Sequence, residues 1–362
     1  TLLGAPNAGK STLVNTMVGA KVSIVSPKVQ TTRSRVRGIV VKDDCEIVLV
    51  DTPGIFKPKR RLDRAMVAAA WQEAEYTDLR VLMVDARRGV DDDTRAIVDS
   101  LKKNKLAAVL VLNKIDLVKP EKLLELSAQL NALHDFSETF MLSASTGEGV
   151  KEFEDRIAAQ MPESPFMFPA DQVSDLPNRL LAAEITREKL YMNLNQELPY
   201  VTTVLTDSWK DLDNGAIRLD QTIYVEREKQ RQIVLGKNGA MIKKIGMQAR
   251  KELEDLFECR VHLFLFVKVR EKWGDNPELY RPWGLGFQCL NGRTAALSSM
   301  FANTPKQGRS LRFSHRNTGG TMRCARLFFQ NATAGLFKSE TWFKSLGTPD
   351  WKNIWERQRS SC

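Results

Sequence analysis

The chain has 362 residues, of which 43% are apolar and 27% charged, with a formal charge of +10. That length suits about two domains with separate cores, and no run approaches the roughly 20 apolar residues of a membrane-spanning helix, nor is a signal peptide recognisable. Residues 288–362 hold 12 Lys and Arg against 3 Asp and Glu, so the basic character belongs to the tail and any nucleic-acid contact has to be argued from local patches.

Residues 1–160 alternate short apolar runs with amphipathic stretches, the pattern of an α/β fold with a mainly parallel, doubly wound sheet. Strands are predicted over 1–3, 36–41, 46–51, 80–85, 107–113 and 139–142, and helices over 11–18, 63–74, 91–103, 120–133 and 150–160. A parallel strand ordinarily runs about five or six residues, so the first strand is expected to be cut short at Thr1, with a targeting segment ahead of it left open. Residues 161–177 carry four prolines and no period, an interdomain linker. From 178 to 287 the predicted order is helix (179–190), strand (200–209), strand (216–226), two helices either side of Gly236 and Gly239, and strand (261–269), an α+β unit. The last of these is the longest apolar run and reads as a buried strand. Residues 288–362 are aperiodic and rich in Arg, Ser and Asn. They read first as read-through or mis-framed sequence, with a disordered basic arm or a small appended module as alternatives. The five cysteines and three histidines follow no zinc or disulfide spacing.

Each motif falls at the C-terminal end of a predicted strand, where doubly wound folds bind ligands. GAPNAGKS, Gly4 to Ser11, fits a phosphate-binding loop. Gly4 and Gly9 let the backbone turn so that successive N–H groups converge on phosphate oxygens, and the following helix adds its positive end. Lys10 places a charge on the β- and γ-phosphates and Ser11 can ligate Mg²⁺; Asn7, Ala8 and Thr12 complete the expected nucleotide contacts. DTPG follows the strand ending at Asp51, which is placed to hold Mg²⁺ through water, while Gly54 can offer its N–H to the γ-phosphate. NKID, Asn113 to Asp116, ends another apolar strand. The Asp116 carboxylate can accept from the ring N–H and exocyclic amine of guanine, whereas adenine would leave it unpaired. Asn113 and Lys114 brace that loop and flank the base. Ser143 opens SAS, where the Ala144 N–H is a candidate for the guanine carbonyl. In the polar stretch containing QTTR, Gln30 to Arg33, Thr32 is the first choice for a magnesium-sensing ligand and Thr31 the second. Lys10, Thr32 and Gly54 are the groups expected to act on a bound triphosphate. Ile55 follows DTPG where many small GTPases carry a water-positioning glutamine, so turnover is expected to be slow and helped by a partner or K⁺.

GKNG, Gly236 to Gly239, is a GxxG loop between helices, of the kind that clamps about four nucleotides of a single strand. Lys237 and Asn238 lie within it and Lys243 and Lys244 follow on the next helix. The ordered set GAPNAGKS, QTTR, DTPG, NKID, SAS and GKNG resembles the Era family, bacterial and organellar GTPases with a C-terminal type II KH domain, over about residues 1–287. The resemblance implies GTP or GDP with Mg²⁺ as ligands and binding to the single-stranded 3′ region of small-subunit ribosomal RNA. It further implies a role in maturation of the small ribosomal subunit, a monomer, and a cytoplasmic location with peripheral inner-membrane contact reported for the family. Two other readings stay open from the residues: a KH adaptor with an inert nucleotide domain, and a membrane or transport GTPase.

Overall fold

A computed structural model describes residues 1–28, 31–195, 198–280 and 283–285. The N-terminal part forms β1 (Leu2–Leu3), α1 (Lys10–Val18), β2 (Val36–Lys42), β3 (Cys45–Asp51), α2 (Arg61–Glu75), β4 (Val81–Asp85), α3 (Asp92–Lys103), β5 (Val109–Asn113), α4 (Pro120–Leu133), β6 (Thr139–Leu142) and α5 (Val150–Ala158). The strand order is β2-β3-β1-β4-β5-β6. Neighbours are parallel except β2 and β3, which form an antiparallel hairpin.

All residues of β4 and β5 are buried, which is why VLMVD and VLVLN read as unbroken apolar runs rather than alternating ones. Alternate side chains nonetheless go to different cores. Leu2, Met83, Val109 and Val111 pack with Leu13 and Val14 of α1 and Phe153 and Ile157 of α5. Leu3, Leu82, Leu110 and Leu112 pack with Ala70, Ile97 and Leu126 of α2, α3 and α4. Helices thus cover both faces, and all the loops that leave parallel strands at their C-terminal ends open on one rim.

Part of the expected linker is tied to this sheet. The Ile39 N–H donates to the Val173 carbonyl at 2.9 Å, Ser174 Oγ to the Arg37 carbonyl at 2.8 Å, and Arg37 pairs with Asp175 at 2.9 Å. β2 is one of the sheet's two edge strands, and its outward amides need such partners.

The second part forms α6 (Asn178–Asn193), β7 (Thr203–Asp211), β8 (Ile217–Val225), α7 (Glu228–Leu235), α8 (Ala240–Phe257), β9 (Val261–Val269) and α9 (Pro277–Tyr280). β7 pairs antiparallel and β9 parallel with the central β8. Its core joins Leu190 of α6, Ile223 of β8, Val234 of α7 and Ile245 of α8. β7 starts at Thr203 rather than at residue 200 because Leu198–Val201 close a 3₁₀ turn. The expectation that β9 is a buried strand is corrected. It lies at the sheet edge, and only one face is covered, so Phe264 and Phe266 remain 44% and 52% exposed.

Gly38 on β2 lets α1 lie against the sheet: a Cβ there would stand 2.6 Å from Val14 Cγ1 and 2.7 Å from Val18 Cγ2. Gly38→Ala is expected to cost about 1–3 kcal/mol by overpacking, read as a lowered denaturant midpoint of the first unfolding transition; an unchanged midpoint would mean that α1 yields freely.

Candidate functional site

The loop between β1 and α1 is built on glycine where no other residue fits. Gly4 has φ 152° and Gly9 φ 100°. A Cβ on Gly4 would meet the Met83 carbonyl oxygen at 2.4 Å, and one on Gly9 would meet Asn113 Nδ2 at 2.0 Å. Asn7 adopts φ 66° and its Nδ2 donates to the Pro27 carbonyl at 2.8 Å. Lys10 Nζ curls into the loop, donating to the carbonyls of Gly4 and Ala5 at 3.1 and 3.2 Å. Burial pushes its pKa down to about 8 against the upward pull of Asp51. No carboxylate reaches ion-pair distance of Nζ among the described residues, so this buried charge is left facing the loop's concavity, where an anion would satisfy it.

Three hydroxyls converge on the end of β3. Ser11 Oγ, Ser23 Oγ and Thr32 Oγ1 lie 2.6, 2.7 and 3.2 Å from Asp51 Oδ2. Ser11 Oγ and Thr32 Oγ1 are 2.8 Å apart. Asp51 is fully buried, burial raises its pKa, and its Oδ1 has no hydrogen-bond partner among the described residues. An unpartnered carboxylate oxygen beside two hydroxyls is an all-oxygen donor set, which fits a hard divalent cation such as Mg²⁺. Thr31 instead turns its hydroxyl to the Lys28 carbonyl at 2.7 Å, so Thr32 is the threonine that faces Asp51. Gln30 lies outside the described residues. Gly54 passes close to the phosphate loop, where a Cβ would lie 2.9 Å from Pro6 Cα. The next side chain, Ile55, points away into the core beside Leu3 and Leu82.

A second constellation ties the loop after β5 to its neighbours. Asn113 Nδ2 donates to the Ala8 carbonyl at 2.8 Å, and its Oδ1 accepts from the Ala144 N–H at 3.0 Å. The Ala144 N–H expected to serve a base carbonyl is therefore engaged by Asn113 in this structure. Lys114, at φ 67°, donates to the Asn7 carbonyl at 2.7 Å and to Asp85 Oδ2 at 2.6 Å. Ser143 is buried with its Oγ 3.2 Å from Ser145 Oγ. Asp116 stands on the exposed turn Ile115–Leu117. Asn7, Gly9, Lys10, Ser11, Thr12, Thr32, Gly54 and Lys114 all line one cavity of about 230 Å³. A larger, open hollow of about 470 Å³ between α6 and α8 is walled by the mutually paired Lys189 and Glu252 and lies apart from these loops, so the smaller cavity is the chemically furnished one.

Ser23 and Asp85 went unrecognised in the sequence. A lone loop serine carries no signal, whereas Asp85 ends an apolar strand as Asp51 does, which could have marked it.

The GxxG loop sits between α7 and α8. Gly236 has φ 72°, with a would-be Cβ 2.6 Å from Met241 Cβ, and Asn238 (φ 51°) and Gly239 (φ 75°) are also left-handed. The Gly239 N–H closes the turn on the Gly236 carbonyl at 3.1 Å. Lys237, Asn238, Lys243 and Lys244 are all exposed around it, giving positive charge beside open backbone.

A phosphate-type loop, an oxygen cluster and a base-loop brace on one rim, followed by this helix–GxxG–helix unit, define a P-loop nucleotide-binding protein with a KH domain. The family model described as 50S ribosome-binding GTPase matches residues 1–114, and that of the KH domain matches residues 197–274. GTPase Era of Afipia carboxidovorans is 59% identical over 286 residues, 79% of this chain and 93% of that protein. GTPase Era of Brucella suis biovar 1 is 54% identical, over 79% of this chain and 92% of its own. Aquifex aeolicus Era, solved as a single-residue variant bound to GDP and AlF₄⁻, superimposes with a TM-score of 0.75 at 37% identity, covering 79% of this chain and 98% of that one. A structure of Era in complex with MgGDPNP and nucleotides 1506–1542 of 16S ribosomal RNA gives the same TM-score and identity, over 79% and 97% of the two chains. The chain belongs to the Era family of GTPases.

Because a Cβ at Gly9 would displace Asn113, Gly9→Ala is expected to weaken nucleotide affinity at least about tenfold, the cost of stranding buried amide groups, in a titration with a fluorescent GDP analogue. An unchanged affinity would show that the Asn113 brace is dispensable.

Proposed function

We propose that this protein is a GTP-driven switch whose KH domain binds single-stranded RNA near the 3′ end of small-subunit ribosomal RNA and so assists assembly of the small ribosomal subunit. The observation that carries this reading is the meeting, at one cavity, of Lys10, Ser11, Thr32 and Lys114, with Asp51 accepting from the two hydroxyls, Asn113 bracing the phosphate loop and the Asp116 carboxylate exposed on the next turn. In this reading the N–H groups of the loop from Gly4 to Ser11 cradle the phosphates, and Asn7, Ala8 and Thr12 close around them. Lys10 exchanges its carbonyl partners for β- and γ-phosphate oxygens. Mg²⁺, held by Ser11, Thr32 and, through water, Asp51, would neutralise charge developing on the transferred phosphoryl group. Gly54 presents its N–H to the γ-phosphate. Asp116 accepts from both guanine donors, with Lys114 flanking the base and Ser143 and Ala144 closing its far side.

The burial of Ile55 supports slow turnover, since no side chain at that position can orient water. The help that a stimulating partner gives in related chemistry, up to ~10⁵-fold, is left to a partner or a K⁺ ion. On the RNA side, the loop from Gly236 to Gly239, with positive φ at Gly236, Asn238 and Gly239, admits a sugar–phosphate chain, with Lys237 and Asn238 at its tip and Lys243 and Lys244 along α8. The complex of a relative with nucleotides 1506–1542 of 16S ribosomal RNA supports the choice of target. We place the protein as a monomer in the cytoplasm, with any inner-membrane contact peripheral; no helix among the described residues is long and apolar enough to cross a membrane.

Two measurements test this. Asp116→Asn replaces an acceptor by a donor, so GTP affinity is expected to fall at least about tenfold while xanthine nucleotides gain; unchanged guanine preference in a competition assay removes Asp116 from base recognition. By linkage, a single-stranded oligonucleotide of the ribosomal 3′ end and a GTP analogue must alter each other's affinity by the same factor, and equal GTP affinities with and without the oligonucleotide would leave no switch.

A further inference from the structure

Thr32, the hydroxyl that completes the oxygen cluster, lies between two residues that are held by the second domain. On one side the Thr31 carbonyl accepts from Arg187 Nη2 of α6, whose guanidinium is oriented by Glu184. On the other side Arg33 leaves the nucleotide domain altogether. Its Nη1 donates to the Thr202 carbonyl at 2.8 Å, and its Nη2 to Tyr191 Oη at 3.0 Å and the Pro199 carbonyl at 3.4 Å. Cζ stands 6.0, 5.4 and 5.9 Å from the ring centroids of Tyr191, Trp273 and Trp283. Only 1% of the residue is exposed. The cage is itself braced, since Trp273 Nε1 donates to the Val201 carbonyl at 2.7 Å.

Among the described residues no carboxylate stands at ion-pair distance of this guanidinium, with Glu184 acting on it only from further off; such a charge is expensive to bury and is tolerated where carbonyl dipoles and ring faces replace water. The site is therefore shaped for this one side chain. Thr32 can swing little while its neighbours on both sides are anchored, and in that anchored state its Oγ1 is 2.8 Å from Ser11 Oγ and 3.2 Å from Asp51 Oδ2. The same aromatic group also holds the helix after DTPG, for Leu62 and Met66 of α2 pack with Trp273, Tyr280 and Trp283.

We propose that Arg33 is a positioning residue: seated in the KH-side cage of Tyr191, Trp273 and Trp283, it holds Thr32 in the place where a Mg²⁺–triphosphate complex engages it, so that the second domain completes the triphosphate site. This rests on the reading of the cavity as a GTP site. Segments of this kind are ordered by γ-phosphate and Mg²⁺ and released in the diphosphate state, so the arrangement favours GTP over GDP without touching either. A domain glue of no functional consequence would instead affect both nucleotides alike.

The test is made on the full chain, measuring affinity for a non-hydrolysable GTP analogue and for GDP across a Mg²⁺ titration. Arg33→Ala should lower analogue affinity about tenfold, the scale of lost charge-assisted hydrogen bonds, and raise the Mg²⁺ concentration that binding requires, with GDP affinity changed less than about twofold. Arg33→Lys, which keeps the charge without the fork, should restore part of the difference. Tyr191→Phe deletes one hydroxyl of the cage, leaves the nucleotide domain untouched, and should shift the GTP-to-GDP ratio in the same direction by a smaller factor. Parallel losses for both nucleotides, or an unaltered ratio in Arg33→Ala and Tyr191→Phe, overturn the proposal. Failure of the unmutated protein to bind either guanine nucleotide would instead overturn the GTP reading beneath it.

Discussion

Asp51 ends β3 inside the protein, one carboxylate oxygen shared by Ser11, Ser23 and Thr32 and the other unpartnered among the described residues. A carboxylate taken out of water costs several kcal/mol unless donors replace the water, and here the donors come from three separate stretches of chain. Ser11 lies in the first turn of α1, Ser23 follows that helix, and Thr32 precedes β2. The need to satisfy Asp51 draws these stretches together, and Asn15 steadies the second of them by accepting from the Val22 and Ser23 N–H groups at 3.0 and 2.9 Å. The cavity beside Lys10 follows from that convergence. The same oxygen set suits a divalent cation, so the demand that organises the site is the one a bound ion would answer.

Sheet order supplies the frame. β1 lies between β3 and β4, which brings the phosphate loop next to Asp51 on one side and Asp85 on the other. Asn113 and Lys114, one strand further, then reach back across β4 to the carbonyls of Ala8 and Asn7. The phosphate loop is thus fastened to the loop expected to read the base, a preorganisation that spares a ligand the entropy of ordering them.

The second domain is joined to this frame through α6. Glu188 accepts from the Val25 N–H at 2.9 Å and pairs with Lys21 at 2.6 Å. Lys28 reaches the carbonyls of Tyr191 and Leu194 at the end of α6, where a helix has carbonyls without intrahelical partners and a cation is favoured. With Arg33 and Arg187, these contacts run along the whole described stretch from Lys21 to Arg33. The polar, basic composition of that stretch is explained by docking as much as by any ligand.

The phosphate loop, Asp51 and the GxxG turn were legible because their chemistry is local: glycine where φ is positive, a hydroxyl at the start of a helix, a carboxylate next to a Thr-Pro-Gly turn. β4 and β5 were legible because burial on both faces leaves an unbroken apolar run. β9 shows the same apolar run, and composition cannot tell a central strand from an edge strand whose outer face stays open. Ser23 and Arg33 were hidden for a related reason, since their partners are 28 and up to 169 residues distant. Adjacent residues alone determined which loops are expected to hold phosphate, select guanine and clamp RNA, since those expectations rest on short-range backbone geometry and charge. Only the tertiary structure decided which threonine faces Asp51 and that Arg33, a solvated loop cation by every local sign, is enclosed by the rings of Tyr191, Trp273 and Trp283. Burial of a charge depends on what the rest of the chain brings to it, and no local pattern encodes that.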